Sequence, residues 1–421
     1  MLTHFHREGE TMTRATTRLT IAFILLSSGG LVPAAAQSVR DSAGVRIVEN
    51  TAPLLSGTRS MQLSKAPILS FMPDGRPDYD FGGVASVLRL KDGRIIVAAK
   101  QAPEFRLFDA RGRLLHALAE SGTPHTVRDR DHALAMLDGD TIAIGHFGYT
   151  ILLAVTGDSL RQLTAQPPPA TSLPGGFNIG TLSNRVVAYF MLPRPKPHPA
   201  GVQFVDSSAI MLMDRDGAVI RDLGPMPYIT FETVDSIPYA VWLSPISAVC
   251  AGSGRFYHGF GTEYAFRAYS ERGQLEAIVR RSWKPTAVTD SDWEHWVVEW
   301  SRIWVTTRGA DSLKRVQRVR EQSWADALPA FAQCLVARDG NLWVREAHLD
   351  DAISAGSFVD DPIVPTKWSV FNPAGRWISD VTMPTAFQPI DIGSDYVAGR
   401  MKFGTAKRTV VIYRLSGPAG Q

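Results

Sequence analysis

Phe105-Arg106-Leu107-Phe108-Asp109-Ala110-Arg111-Gly112 decides the fold, because its pattern returns three more times along the chain. The other copies are Ile210-Met211-Leu212-Met213-Asp214-Arg215-Asp216-Gly217, Phe266-Arg267-Ala268-Tyr269-Ser270-Glu271-Arg272-Gly273 and Trp368-Ser369-Val370-Phe371-Asn372-Pro373-Ala374-Gly375. In each, a β-prone run leads into Asp, Ser or Asn, two variable residues follow, and Gly closes. An Asx or Ser side chain at the first position of a type I turn accepts from the backbone just ahead of it. Gly supplies the left-handed conformation at the fourth. Alternation after the Gly, as in Leu114 and His116 against Leu115 and Ala117, returns a second strand antiparallel to the first.

A second punctuation precedes the copies, in Lys91-Asp92-Gly93-Arg94, Ser253-Gly254-Arg255 and Asp339-Gly340-Asn341, each between two β-rich runs. Two hairpins in series make a four-stranded antiparallel unit, the blade of a β-propeller. Gly217 to Gly273 is 56 residues, one blade; Gly112 to Gly217 is 105, about two, with the skipped blade carrying its own Asp138-Gly139-Asp140 turn. Gly273 to Gly375 is 102 residues and requires an insertion. There the period becomes helical: Asp290-Ser291-Asp292 caps a run with Trp293, Trp296, Val297, Trp300 and Trp304 on one face, and Asp311-Ser312 caps a second run ending before Pro329. The Trp stripe is expected to pack on the propeller rather than to bind a partner.

Six units follow: 84–122, 132–167, 177–227, 246–283, 331–384 and 387–415, with a two-helix insertion at about 288–328 between the fourth and fifth. The chain ends before the last unit has a fourth strand. A ring closes by borrowing one from the other terminus, and 61–71 or 45–48 is the expected donor. The expected organisation is therefore residues 1–36 as a signal segment, 37–83 as an N-terminal segment with the ring-closing strand, and 84–421 as an all-β, six-bladed propeller.

The leader is read from Met12-Thr13-Arg14-Ala15-Thr16-Thr17-Arg18, the apolar run from Leu19 to Leu26, and Pro33-Ala34-Ala35-Ala36 before Gln37. Cleavage after Ala36 would give a periplasmic or secreted product without a membrane span, since no apolar run approaches the ~20 residues a bilayer needs. The net charge of +3 includes +1 from the leader, and no basic block remains. That excludes a nucleic-acid partner on charge grounds. Cys250 and Cys334 are the only cysteines. Export permits a bridge between them, and two buried thiols are the plainer expectation.

Asp92-Gly93-Arg94-Ile95-Ile96-Val97-Ala98 followed by Phe105 to Arg113 resembles an NHL-type repeat. The stretches Asp41-Ser42-Ala43-Gly44-Val45-Arg46-Ile47-Val48-Glu49-Asn50, Trp368 to Arg376 and Ile392 to Gly399 are similar to the opening and ending of a group of exported bacterial six-bladed β-propellers. The resemblance implies the fold and little about activity, since that group is mostly uncharacterised. Where the repeat usually carries Asp after the second strand, this chain has Ala99, Phe260 and Glu346.

In a propeller the loops from second to third strand gather on one face. That column holds Lys100, Gln101, His146, Glu263, Glu346, His348, Arg400 and Lys402. Mixed His, carboxylate and Arg around a funnel would suit an anionic or carbohydrate-like ligand. The first reading is a monomeric binding or interaction module for a small molecule, glycan or protein, with no cofactor. A second is a metal-dependent hydrolase or lyase, with a divalent metal on His146, His258, His348 and Glu346 at the channel mouth. A third is a structural envelope component. Glu346-Ala347-His348-Leu349-Asp350-Asp351 lacks the spacing of an EF-hand or zincin motif, and no phosphate loop or nucleophile elbow occurs, so nucleotide use and Ser-based hydrolysis have no support.

Overall fold

The computed structural model describes residues 36–72, 76–99, 104–119, 133–137, 141–146, 149–166, 176–182, 186–191, 198–214, 219–308, 317, 319–350, 362, 364–402 and 408–417. Residues 1–35, which make up all but the last residue of the expected signal segment, and the Asp138-Gly139-Asp140 turn lie outside them. The repeated turns form as their residues dictate. Asp109 Oδ1 accepts the Arg111 and Arg113 N–H groups at 2.9 and 2.8 Å, while Gly112, at φ +85°, donates to Asp109 O at 3.0 Å. Asn372 does the same for Ala374 and Arg376 at 3.1 and 3.0 Å, with Gly375 at φ +80°. In all four copies the strand register slips just before the turn, at Phe108, Met213, Tyr269 and Phe371, so the repeat includes a bulge that its sequence did not spell out.

Among the described residues the strands make six small sheets. The first contains Val84–Arg89, Ile95–Ala99, Glu104–Phe108 and Leu114–Ala119, and the second Ala133–Met136, Thr141–His146, Tyr149–Thr156 and Ser159–Gln166. The third contains Gly176–Thr181, Val186–Met191, Gln203–Asp214, Val219–Val234 and Ile237–Ala240. The fourth is built on Ser247–Gly252, Arg255–Phe260, Ala265–Ser270 and Leu275–Arg281, and the fifth on Gln333–Val336, Leu342–Arg345, Thr366–Phe371 and Trp377–Met383. The sixth holds Phe387–Ile392, Tyr396–Lys402 and Arg408–Ser416.

Among the described residues, apolar layers join every neighbouring pair of sheets except the second and third. Leu88 and Ile96 meet Ile142 and Leu153; Leu182 and Ile210 meet Phe256; Tyr257 and Phe266 meet Val344; Trp343 and Trp368 meet Phe387. Thr181 Oγ1 reaches Met136 O at 3.4 Å between the second and third sheets. The sixth sheet returns to the first, with Val87 and Val97 against Ala398 and Ile412. Each such side chain, fully buried, contributes about 1.5–3 kcal/mol.

Of the two expected strand donors, 61–71 joins the sixth sheet and 45–48 does not. Gln62–Leu63 and Leu69–Ser70 pair antiparallel with Arg408–Ser416, which makes 61–71 the added edge of the sixth sheet. The hairpin Gln37–Ser42 and Val45–Asn50 instead extends the fourth sheet, Val45–Asn50 running parallel to Leu275–Arg281. Between them, Leu54 and Leu55 donate to the carbonyls of Trp377 and Ile378 at the outer edge of the fifth sheet. Residues 37–71 thus run along three sheet edges in succession.

Two further corrections concern the third unit and the insertion. The third unit was expected to end at Pro227, but its fourth strand runs to Val234 and a fifth follows. Proline only removes a donor, and register shifts between Asp206 and Ser207 and between Ala209 and Met211 absorb the loss. In the insertion, Asp290–Arg308 is one helix. Its cap is Thr289 rather than Asp290: Thr289 Oγ1 accepts the Asp292 N–H at 3.2 Å and Asp292 Oδ2 accepts the Thr289 N–H at 2.9 Å. Trp293, Trp296 and Trp300 are buried against Trp242, Leu243 and Trp324, so the stripe is core. The Trp304 side chain and most of the second helical run lie outside the described residues; Gln317, Val319 and Arg320 are helical.

Cys250 and Cys334 are bonded, which corrects the expectation of two free thiols. They stand on the first strands of the fourth and fifth sheets with Cα atoms 5.7 Å apart, within disulfide reach. Packing of neighbouring sheets brings them together.

Candidate functional site

Only part of the expected column is described, and those members stand in unlike surroundings. His146 ends the strand Thr141–His146, and its side chain lies outside the described residues, as do Lys100 and Gln101. Glu263 is exposed in a turn, and Lys402 is exposed at the end of its strand. Arg400 was expected at an open loop, but its strand runs on to Lys402 and it is 2% exposed. Its Nε donates to Gln388 Oε1 at 2.8 Å and its Nη1 to Val84 O at 3.3 Å, tying the sixth sheet to the first. His348 is exposed, with Nδ1 3.7 Å from Asp350 Oδ2.

His258, proposed as a metal ligand, is 1% exposed. Its Nε2 lies 3.0 Å from Ser247 Oγ and 3.2 Å from Pro227 O. Burial lowers its pKa from 6.5 to about 4, against the opposing pull of the Pro227 carbonyl. Among the described residues no three His, Cys, Asp or Glu side chains stand together as a metal-binding group.

Glu346 is the member of the column that lines a cleft. The cleft, of about 270 Å³, lies between the end of Leu275–Arg281 and the end of Leu342–Arg345, beside the roots of the insertion at Thr286 and Leu328. Leu328 N donates to Thr286 O at 2.9 Å and Ala330 N to Gly261 O at 2.8 Å, which fixes those roots on the fourth sheet. Arg281 dominates the wall. Its Nη1 is 2.6 Å from Glu346 Oε1 and donates to Ser369 Oγ at 2.5 Å. Its guanidinium carbon stands 4.6 Å from the Tyr264 ring centre and 4.3 Å from that of Trp377. Behind it, Lys367 Nζ bridges Glu346 at 3.2 Å and Asp380 at 3.1 Å. Asp380 Oδ1 also accepts Ser369 Oγ and Trp377 Nε1 at 2.9 and 3.0 Å.

The result is two cations and two carboxylates balanced against one another. Burial works against the Arg281 charge, but Tyr264, Glu346 and Asp380 outweigh it and raise its pKa, so the group stays protonated. Burial likewise pushes the Tyr264 hydroxyl up. Sequence reading reached Glu346 and missed Arg281, Lys367, Asp380 and Trp377. The local signal available was a pair of arginines, Arg280-Arg281, closing an apolar strand.

Short antiparallel sheets, each packed on the next and the last on the first, define a fold of the β-propeller type. No helix of the described residues is long and apolar enough to cross a membrane. No protein-family profile and no curated protein matches the chain. Among solved structures it is similar to a protein described as exported from Bacteroides fragilis, at 8% identity over 87% of this chain and 99% of that one, TM-score 0.41. It is similar also to a DUF4221 family member from Bacteroides vulgatus, at 7% identity over 86% and 100%, TM-score 0.43. A third is a streptogramin B lyase, at 12% identity over 85% and 100%, TM-score 0.39.

Proposed function

We propose that this chain is an exported six-bladed β-propeller acting as a binding module, with residues 1–36 removed, 37–83 bracing the ring and 84–421 forming it. Six sheets in sequence order, and the addition of 61–71 to the sixth, support the blade count and the closure. The ligand seat is the cleft at Arg281 and Glu346.

The observation that carries this reading is the preset Arg281. A guanidinium held between two aromatic rings and a carboxylate has already lost its rotamer freedom, so a ligand need not pay to order it. Because the Arg281 charge is matched inside the protein, that side chain offers hydrogen-bond donors rather than net attraction for an ion, and the exposed Lys284 is the remaining charged side chain of the lining. Trp283 adds an aromatic surface to the same cleft. A neutral, hydroxyl-rich ligand of the carbohydrate class suits that mixture better than an anion.

Tryptophan fluorescence titration with a panel of neutral oligosaccharides tests the reading. At least one should bind saturably, and Glu346→Gln should weaken it at least tenfold while the protein stays folded. Absence of binding across the panel, or equal binding by the variant, overturns it.

A further inference from the structure

A second cleft, of about 410 Å³, opens at the other end of the sheets, where the turns after the first strands of the first, fifth and sixth sheets converge. Sequence reading treated these turns as punctuation. Their chemistry is more organised than that. Asp391, 7% exposed, accepts Arg89 N, Tyr396 Oη and Arg338 Nη2 on Oδ2, each at 2.8 Å, and Arg338 Nε on Oδ1 at 2.8 Å. Arg338 is therefore gripped in the two-point fashion that fixes a guanidinium plane, and its Nη1 is not used by the pair. The Tyr396 ring centre lies 4.7 Å from the Arg89 guanidinium carbon and 5.8 Å from that of Arg338. One ring from the sixth sheet thus positions two guanidinium groups, one from the first sheet and one from the fifth.

The acceptors nearby are occupied or weakly placed. Asp339 accepts Asn341 N at 3.0 Å and Asn341 Nδ2 at 2.8 Å within its own turn, and burial raises its pKa. Asp395 faces Arg89 at 3.8 Å, beyond hydrogen-bond length, and its side chain is 74% exposed, so solvent screens the attraction. Lys91 stands exposed on the next turn. Three cations, Arg89, Lys91 and Arg338, line this cleft against two carboxylates, Asp339 and Asp395, while Asp391 is buried beneath them.

We propose that this cleft is a second binding site, which takes the oxyanion group, phosphate or carboxylate, of a small molecule between Arg89, Lys91 and Arg338. It is independent of the carbohydrate seat, which lies at the opposite end of the sheets. The built carboxylate of Asp391 sets the geometry, and Asp395 is the group an incoming oxyanion displaces.

Calorimetric titration of the purified protein with inorganic phosphate and with citrate, at low and at physiological salt, tests this. One or both should bind at a single site and weaken as salt rises. Arg89→Gln with Lys91→Gln should reduce affinity at least tenfold, Asp395→Asn should raise it about threefold, and Glu346→Gln should leave it unchanged. Phosphate alone or citrate alone binding assigns the group within the class. No binding by either ion, or equal affinity in the double variant, overturns the site. Should the double variant fail to fold, Lys91→Glu alone, on an exposed side chain, is expected to weaken binding, and no effect there overturns it equally.

Discussion

The side-chain oxygen of Asn50 accepts the backbone N–H of Trp377 at 2.9 Å, across 327 residues of sequence. The Asn50 amide nitrogen donates to Arg280 O at 2.8 Å and to Gly375 O at 3.0 Å. One buried side chain, 1% exposed, so links the N-terminal hairpin, the outer strand of the fourth sheet and the repeat turn of the fifth. Asn50→Ala leaves those backbone groups without partners and should cost about 2–3 kcal/mol. Urea denaturation reads this, and a loss under half a kcal/mol would contradict the pin.

Replacing both Cys250 and Cys334 with Ser should lower stability by roughly 3–4 kcal/mol, since the bridge closes a loop across a sequence separation of 84. Dithiothreitol should shift the parent melting curve by a comparable amount and leave the double variant's curve in place. A parent protein indifferent to reductant would show that the bridge is absent.

His258 gives a pH dependence with a definite sign. Its folded pKa, about 4, lies below the unfolded value of 6.5, so the unfolded chain binds a proton that the folded one refuses. Stability from this group is complete above pH 6.5 and is lost as pH falls toward 4, by about 3 kcal/mol over the whole window. Between pH 7 and 5, before most carboxylates titrate, His258→Gln should flatten the stability slope. Parallel slopes would sink the idea.

Gly399 sits where the second strand of the sixth sheet passes the first. An added Cβ there collides with the carbonyl of Gln388 and comes within 2.8 Å of the Phe387 ring. Gly399→Ala should destabilise by about 2–3 kcal/mol or prevent folding. Gly157→Ala, in open space at φ +54°, should cost only about 1 kcal/mol. Thermal denaturation of the pair, if it ranked them the other way, would refute the crowding.

Local chemistry was legible and cross-sheet chemistry was not. The turns at Asp109 and Asn372 need only an acceptor and a left-handed Gly three residues later, so sequence alone predicts them. The Trp293, Trp296 and Trp300 stripe declares its helix by spacing. Arg281 gives no such sign, because Tyr264, Glu346 and Trp377 reach it from three other parts of the chain. Arg400 was misplaced because its position after Gly399 reads as a loop, whereas the strand continues. The parallel pairing of Val45–Asn50 with Leu275–Arg281 leaves no periodic mark at all, since either hairpin face could have met any open edge.

The run of residues 37–71 along three sheet edges sets an order in time. These strands are synthesised before the sheets they complete, and the partner of Gln62 is Ser416, 354 residues later, where Ser416 Oγ donates to Gln62 O at 3.2 Å. Contacts of such separation must wait until residue 416 has been made and form slowly. Until then both ends present unpaired edges, so the span between emergence and closure is when this protein is most exposed to misassociation.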